Sequence, residues 1–188
     1  MFKEQQKILE LFRLNPFAEL TLQEIMHSLG KKSYNWTYLA IQKLAKEDFL
    51  ITRKIGKTIV ARINLESEDT ITELIYLERR FARKTEQNRI SGINTKQETK
   101  KTKEIQEIKK ITPFFILLEN EKEKIIIVDK KTNIKFSGSR ILSKEEFVEL
   151  LTAPNNNAVK QLAKDHAIMH GAEAYYELLL EAYRHGLR

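Results

Sequence analysis

Within thirteen residues, from Thr21 to Ser33, the chain carries two helix starts and one helix stop. Thr21 with Glu24 three positions on is a capping box, in which hydroxyl and carboxylate each take a backbone N–H that a helix start leaves unpaired. Gly30 suits a left-handed helix end, and Ser33 can cap the helix that follows. The first of these helices bears Leu22, Ile25, Met26 and Leu29; the second carries Thr37, Ala40, Ile41 and Leu44 on one face. Two helices therefore meet across a tight glycine turn. Upstream, Ile8, Leu9, Leu11 and Phe12 recur at helical spacing over about 2–14, and Asn15-Pro16 ends that helix because the residue before proline is pushed out of the helical region. Downstream, Phe49 to Arg53 and Thr58 to Ile63 read as strands, with Lys54 to Lys57 around Gly56 as the hairpin tip. Helix, helix, turn, helix and basic hairpin is the layout of a winged helix-turn-helix over 1–65.

Charge concentrates in the same stretch. From Lys31 to Arg62 eight basic residues stand against Glu47 and Asp48 alone, so +6 of the formal +7 lies in about 30 of 188 residues. Charge serving solubility alone would be spread more evenly, and a nucleic-acid footprint is the first hypothesis. The absence of cysteine excludes a disulfide framework, a thiolate zinc site, an iron–sulfur cluster and a cysteine nucleophile together. No apolar stretch approaches the roughly 18 residues of a membrane span, and a soluble protein in the reducing cytoplasm is expected.

The stretch also resembles the winged helix-turn-helix transcriptional regulators of archaea and bacteria. Leu20-Thr21-Leu22-Gln23-Glu24-Ile25 is similar to their second helix, and Ala40 to Ile51 is similar to their third helix and following strand, with Asp48 where the family usually has glycine. The resemblance implies double-stranded DNA as partner, with the third helix in the major groove and the Arg53–Lys57 hairpin along the backbone or in the adjacent minor groove. A helical wheel turns Asn35, Leu39, Gln42 and Lys46 outward, with Trp36 and Lys43 on one flank and Tyr38 on the other. Asn35 and Gln42 can read adenine bidentately, and Leu39 can meet a thymine methyl. Lys31, Lys32, Arg53, Lys54 and Lys57 suit phosphates, and Ser33 opens the helix beside them. The competing reading makes Trp36 and Leu39 a protein-docking face, because winged helices also serve as interaction modules.

The rest of the chain completes an α+β protein with a connecting segment and a small C-terminal α/β domain. In 66–111, Ile71, Leu74, Ile75, Leu77 and Phe81 give a helix over about 67–83 an apolar stripe that suits pairing with a second copy, hence a homodimer. From Lys84 to Lys110 the chain is polar and is read as a flexible or singly helical linker, with Ile105, Ile108 and Ile111 resting its end on a neighbour. In 112–188, Phe114 to Leu118 and Ile125 to Val128 read as strands buried on both faces, and 134–142 as a third. Ser143 to Glu146 is a capping box, and helices follow over about 157–169 and 172–185.

This second region resembles the C-terminal part of archaeal winged-helix nucleotidyltransferase-like proteins through Leu142 to Phe147, Asn156 to Lys160 and His166 to Tyr176. That family pairs a Gly-Ser turn with a D-x-D strand whose carboxylates hold magnesium. Here Gly138-Ser139 has no such strand after it, and the register that would bear the acids holds Ile111, Thr112 and Pro113. The domain is therefore read as degenerate and non-enzymatic, kept for shape or partner binding. An active transferase drawing its acids from elsewhere is the alternative. His166 and His170, at i and i+4 with Glu173 beyond, would suit a divalent metal only on an unbroken helix, and Gly171 interrupts it. No Walker loop, G-x-G-x-x-G or Ser-His-Asp order is present, and neither metal nor cofactor is expected.

Overall fold

The computed structural model describes residues 3–90, 105–108, 110, 112, 114–119, 124–130, 138–152 and 167–186. They fall into two compact units, Met1–Leu77 and Glu78–Arg188. The stretch read as a connector is divided between them, since its helix runs through the boundary.

The first unit contains α1 (Lys3–Leu14), β1 (Leu20–Thr21), α2 (Leu22–Ser28), α3 (Tyr34–Lys46), β2 (Leu50–Ile55), β3 (Thr58–Ile63) and the start of α4 (Glu68–Ile90). Its sheet has the order β1-β3-β2, antiparallel throughout. This is the topology of a winged helix. The core is made by Ile8, Leu9 and Phe12 of α1, Leu22 and Ile25 of α2, Ile41 and Leu44 of α3, and Leu50, Ala61 and Ile63 of the sheet, all nearly free of solvent contact. Burying a side chain of this size is worth about 1.5–3 kcal/mol, which lets a domain this small stand without a crosslink.

The helix signals act as the sequence implies. The Thr21 hydroxyl accepts the Glu24 N–H at 3.2 Å, while the Glu24 carboxylate accepts the Thr21 N–H at 2.7 Å. Those bonds to Thr21, its backbone N–H first and its hydroxyl second, hold the Glu24 carboxyl below the usual glutamate range. Helix α2 ends with Gly30 at φ +63, its N–H bonded to the His27 carbonyl and the Lys31 N–H to that of Met26. Helix α3 ends in the same paired-bond motif: the Asp48 N–H reaches the Ala45 carbonyl, the Phe49 N–H reaches that of Leu44, and Asp48 stands at φ +64. A non-glycine residue there costs about 1–2 kcal/mol. The cost is offset by bonds around it: the Asn64 amide donates to both the Asp48 carbonyl (3.0 Å) and its carboxylate (3.2 Å), and the Thr70 hydroxyl donates to the same carbonyl at 3.3 Å.

Three expectations for this unit shift. Ala40 is only half-buried, whereas Thr37, Ile41 and Leu44 are fully buried. Strand β2 runs on to Ile55, which pairs with Thr58, so Gly56-Lys57 alone makes the turn, with Gly56 at φ +59 as glycine-first hairpins require. Helix α4 continues to Ile90, beyond the 83 read from its apolar stripe.

The second unit holds β4 (Phe115–Glu119), β5 (Lys124–Val128), β6 (Ser139–Ser143), α5 (Lys144–Thr152), β7 (Ala167–His170) and α6 (Ala172–Gly186). Its sheet order is β6-β5-β4-β7, with β5 and β6 parallel and the other pairs antiparallel. Phe115 to Leu118 and Ile125 to Val128 are buried at every position, as their continuous apolar runs imply. Ile108 packs on one face with Phe115, Leu117, Ile126 and Val128, so the end of the polar stretch does rest on a neighbour. Ser143 and Glu146 form the expected capping box at the head of α5. The third strand is Ser139–Ser143, later than read; 131–137 lie outside the described residues.

One element is of the wrong type in the sequence reading. The end of the expected 157–169 helix is strand β7, paired with β4 through Leu118↔Ile168 and Glu119↔Ala167. A free sheet edge beside β4 overrides the helical pattern, and 153–166 lie outside the described residues. Gly171 follows at φ +77, where a Cβ would stand 2.7 Å from the Phe115 carbonyl oxygen.

Candidate nucleic-acid interface

Helix α3 has one face in the core and one in water. Thr37, Ile41 and Leu44 are fully buried, and the Thr37 hydroxyl donates back to the Ser33 carbonyl at 3.1 Å. Opposite them Asn35, Leu39, Gln42 and Lys46 are all exposed, Leu39 to 58%. Spaced at i, i+4, i+7 and i+11, they make one stripe of about 16 Å along the helix. Ser33 caps α3, its hydroxyl accepting the Trp36 N–H at 3.2 Å.

The flanks are less uniform. Trp36 and Tyr38 are half-buried, and Lys43 is exposed and paired with Glu47 at 3.7 Å. Lys31 is engaged within the protein: its ammonium lies 2.8 Å from the Glu4 carboxylate and 4.6 Å from the centre of the Trp36 ring. The hydrogen bond from Lys31 holds the Glu4 carboxyl below its ordinary value. Lys31 thus links α1 to the first turn of α3, and Lys32 beside it is exposed.

The hairpin supplies the second element. Leu50 is buried, Ile51 and Thr52 are half-buried, and Arg53, Lys54, Ile55, Gly56, Lys57 and Thr58 are all exposed. The Arg53 guanidinium bonds the Glu19 carboxylate ahead of β1. Two exposed residues escaped the sequence reading. Tyr34, 49% exposed, is the first residue of α3, and Ile55, 50% exposed, lies at the wing tip. Strand alternation counted from Leu50 would have put Ile55 on the face away from the core.

In the second unit, the helix that the His166–His170 spacing requires is not present at His170. His170 lies on strand β7, with its ring stacked on Phe115 at 4.3 Å between centroids, so the helical i, i+4 spacing does not exist there; His166 lies outside the described residues. Among the described residues no group of three histidines and carboxylates could hold a metal ion. Nor is any described helix long and apolar enough to cross a membrane.

Among solved structures, the crystal structure of the PcaV transcriptional regulator from Streptomyces coelicolor in complex with its natural ligand is similar to this chain with a TM-score of 0.38 and 14% identity, over 57% of this chain and 74% of that one. At that degree of likeness it bears on neither the topology nor the chemistry above. No protein-family profile and no curated protein matches the chain.

Proposed function

We propose that this chain binds double-stranded DNA with sequence preference through its first unit and acts as a transcriptional regulator of prokaryotic, archaeal type. The observation that carries the reading is the stripe of Asn35, Leu39, Gln42 and Lys46, exposed along a helix whose other face is fixed in the core. Asn35 and Gln42 offer the paired donor and acceptor that adenine's major-groove edge requires, and Leu39 an apolar contact for a thymine methyl. Ser33, Trp36, Tyr38 and Lys43 border that stripe. Lys32, Lys46, Arg53, Lys54 and Lys57 lie where phosphates would orient the domain without choosing the sequence. Lys31 acts through Trp36 and Glu4, holding the start of α3.

Binding of random-sequence duplex pools, read across a salt series, tests this. Lys54→Ala with Lys57→Ala should weaken binding to every duplex and lower the slope of log affinity against log salt by about 0.9 per lost phosphate contact. Asn35→Ala should leave that slope alone and reduce discrimination among duplexes. Unchanged affinity and slope in the lysine variant would remove the wing from the interface. Tyr34 and Leu39, large apolar groups in water on the same helix, favour a second reading, a docking face for a protein partner.

The second unit is proposed to be a non-catalytic, nucleotidyltransferase-like module that supports dimerisation or partner docking. The reading rests on the lack of acids at Ile111, Thr112 and Pro113. With magnesium and labelled nucleoside triphosphates, the protein should label neither itself nor RNA nor a small acceptor. Stoichiometric transfer would overturn this.

A further inference from the structure

The outer end of the β2–β3 hairpin combines features that solubility does not explain. Six consecutive residues, Arg53 to Thr58, are exposed, and all but one are polar or glycine; the exception, Ile55, is half in water. It pairs with Thr58 directly beside the Gly56-Lys57 turn, with cations on both sides in Lys54 and Lys57. Resting on the DNA-binding reading above, we propose that Ile55 is a wedge that enters the minor groove beside the α3 site and partly unstacks one base step, bending the duplex.

Three residues of exposed β2 extend the ribbon by about 10 Å, enough to reach the floor of a minor groove about 7.5 Å deep. Width is the obstacle. Two strands about 4.8 Å apart, with side chains, exceed a groove about 6 Å wide. The tip therefore fits only where the groove opens, and an apolar side chain pressed between bases opens it by kinking the duplex toward the major groove. Lys54 and Lys57 would hold the flanking phosphates while Ile55 leaves water for the base stack. The two-residue turn keeps the ribbon narrow at the point of entry. Selection would fall on the pyrimidine–purine steps TA and CA/TG, which unstack most readily. The wing then contributes sequence preference at a step that no hydrogen-bonding side chain reads.

The test uses the full chain and a duplex recovered from a random pool, with 2-aminopurine at its pyrimidine–purine steps and a dye at each end. Wild type should shorten the end-to-end distance and raise 2-aminopurine emission at one step. Ile55→Thr keeps a β-branched strand former; at saturation it should lose both signals while retaining the discrimination that Asn35 confers. Ile55→Met, still an apolar wedge, should keep both. Lys54→Ala with Lys57→Ala should need more protein to reach saturation and then give the wild-type bend. A straight duplex under wild type, or equal bends with wild type and Ile55→Thr, overturns the wedge and leaves the DNA-binding reading standing. Recovery of no duplex at all overturns both.

Discussion

The two sheets of this protein are used in opposite ways. In the second unit β4 and β5 are buried at nearly every residue, so both faces are spent on packing. In the first unit β2 passes from buried Leu50 to three exposed residues, and β3 mirrors it from exposed Thr58 to buried Ile63. Strands covered on both faces leave a partner only the edges of the sheet and the helices; a hairpin that runs out of its own core keeps a free end. The difference gives the first unit an exposed ribbon that the described strands β4 and β5 do not have.

Two of the left-handed positions just beyond regular elements, Gly171 and Asp48, sharpen that comparison. Gly171, after β7, has no room: an added Cβ meets backbone of both Phe115 and Ile116 within 3.2 Å. Gly171→Ala should therefore combine a strained φ with a backbone overlap and lower stability by about 3 kcal/mol, measured by urea unfolding followed by circular dichroism. The lone Trp36 belongs to the first unit, so its emission, recorded in the same titration, tells whether that unit unfolds together with the second. A loss below about 0.5 kcal/mol would mean that β4 shifts freely, and the picture of a fully committed sheet would fail.

Asp48 is the milder case, open to solvent and held by Asn64 and Thr70. Asp48→Ala keeps the strain and loses the side-chain bond, and should cost about 1 kcal/mol. Asp48→Gly relieves the strain and should gain about 0.5 kcal/mol, both read from the Trp36 transition. Equal effects of the two substitutions would show that the carboxylate, not the backbone angle, matters at the end of α3.

The first unit was largely legible because its signals are local. A cap, a glycine stop and a second cap each act within about four residues, and all three stand where the sequence puts them. The outward stripe of α3 followed from helical geometry. Two features escaped for identifiable reasons. Lys31 reads as one more surface cation until the fold brings Glu4 and Trp36 beside it. Ile55 reads as part of a longer loop, because Lys54 and Lys57 suggest a four-residue tip where the ladder continues to the last pair. In the second unit the strand runs were plain, but β7 was not: Ala-Ile-Met-His carries no period that separates strand from helix, and its type is decided by the open edge of β4.

The short strand β1 carries a consequence for the order in which the first unit assembles. Its partner Ala61 lies about 40 residues along from Leu20, and both α2 and α3 fall inside the loop that this pairing closes. Helices of this length relax in about a microsecond or less, whereas the closing contact must first meet the entropy of that loop. During synthesis, α2 and α3 emerge well before the strand that locks them, so a chain halted ahead of Ala61 would present helical segments without a fixed angle between them. The angle between α2 and α3 is thus fixed late, when β3 slots between β1 and β2.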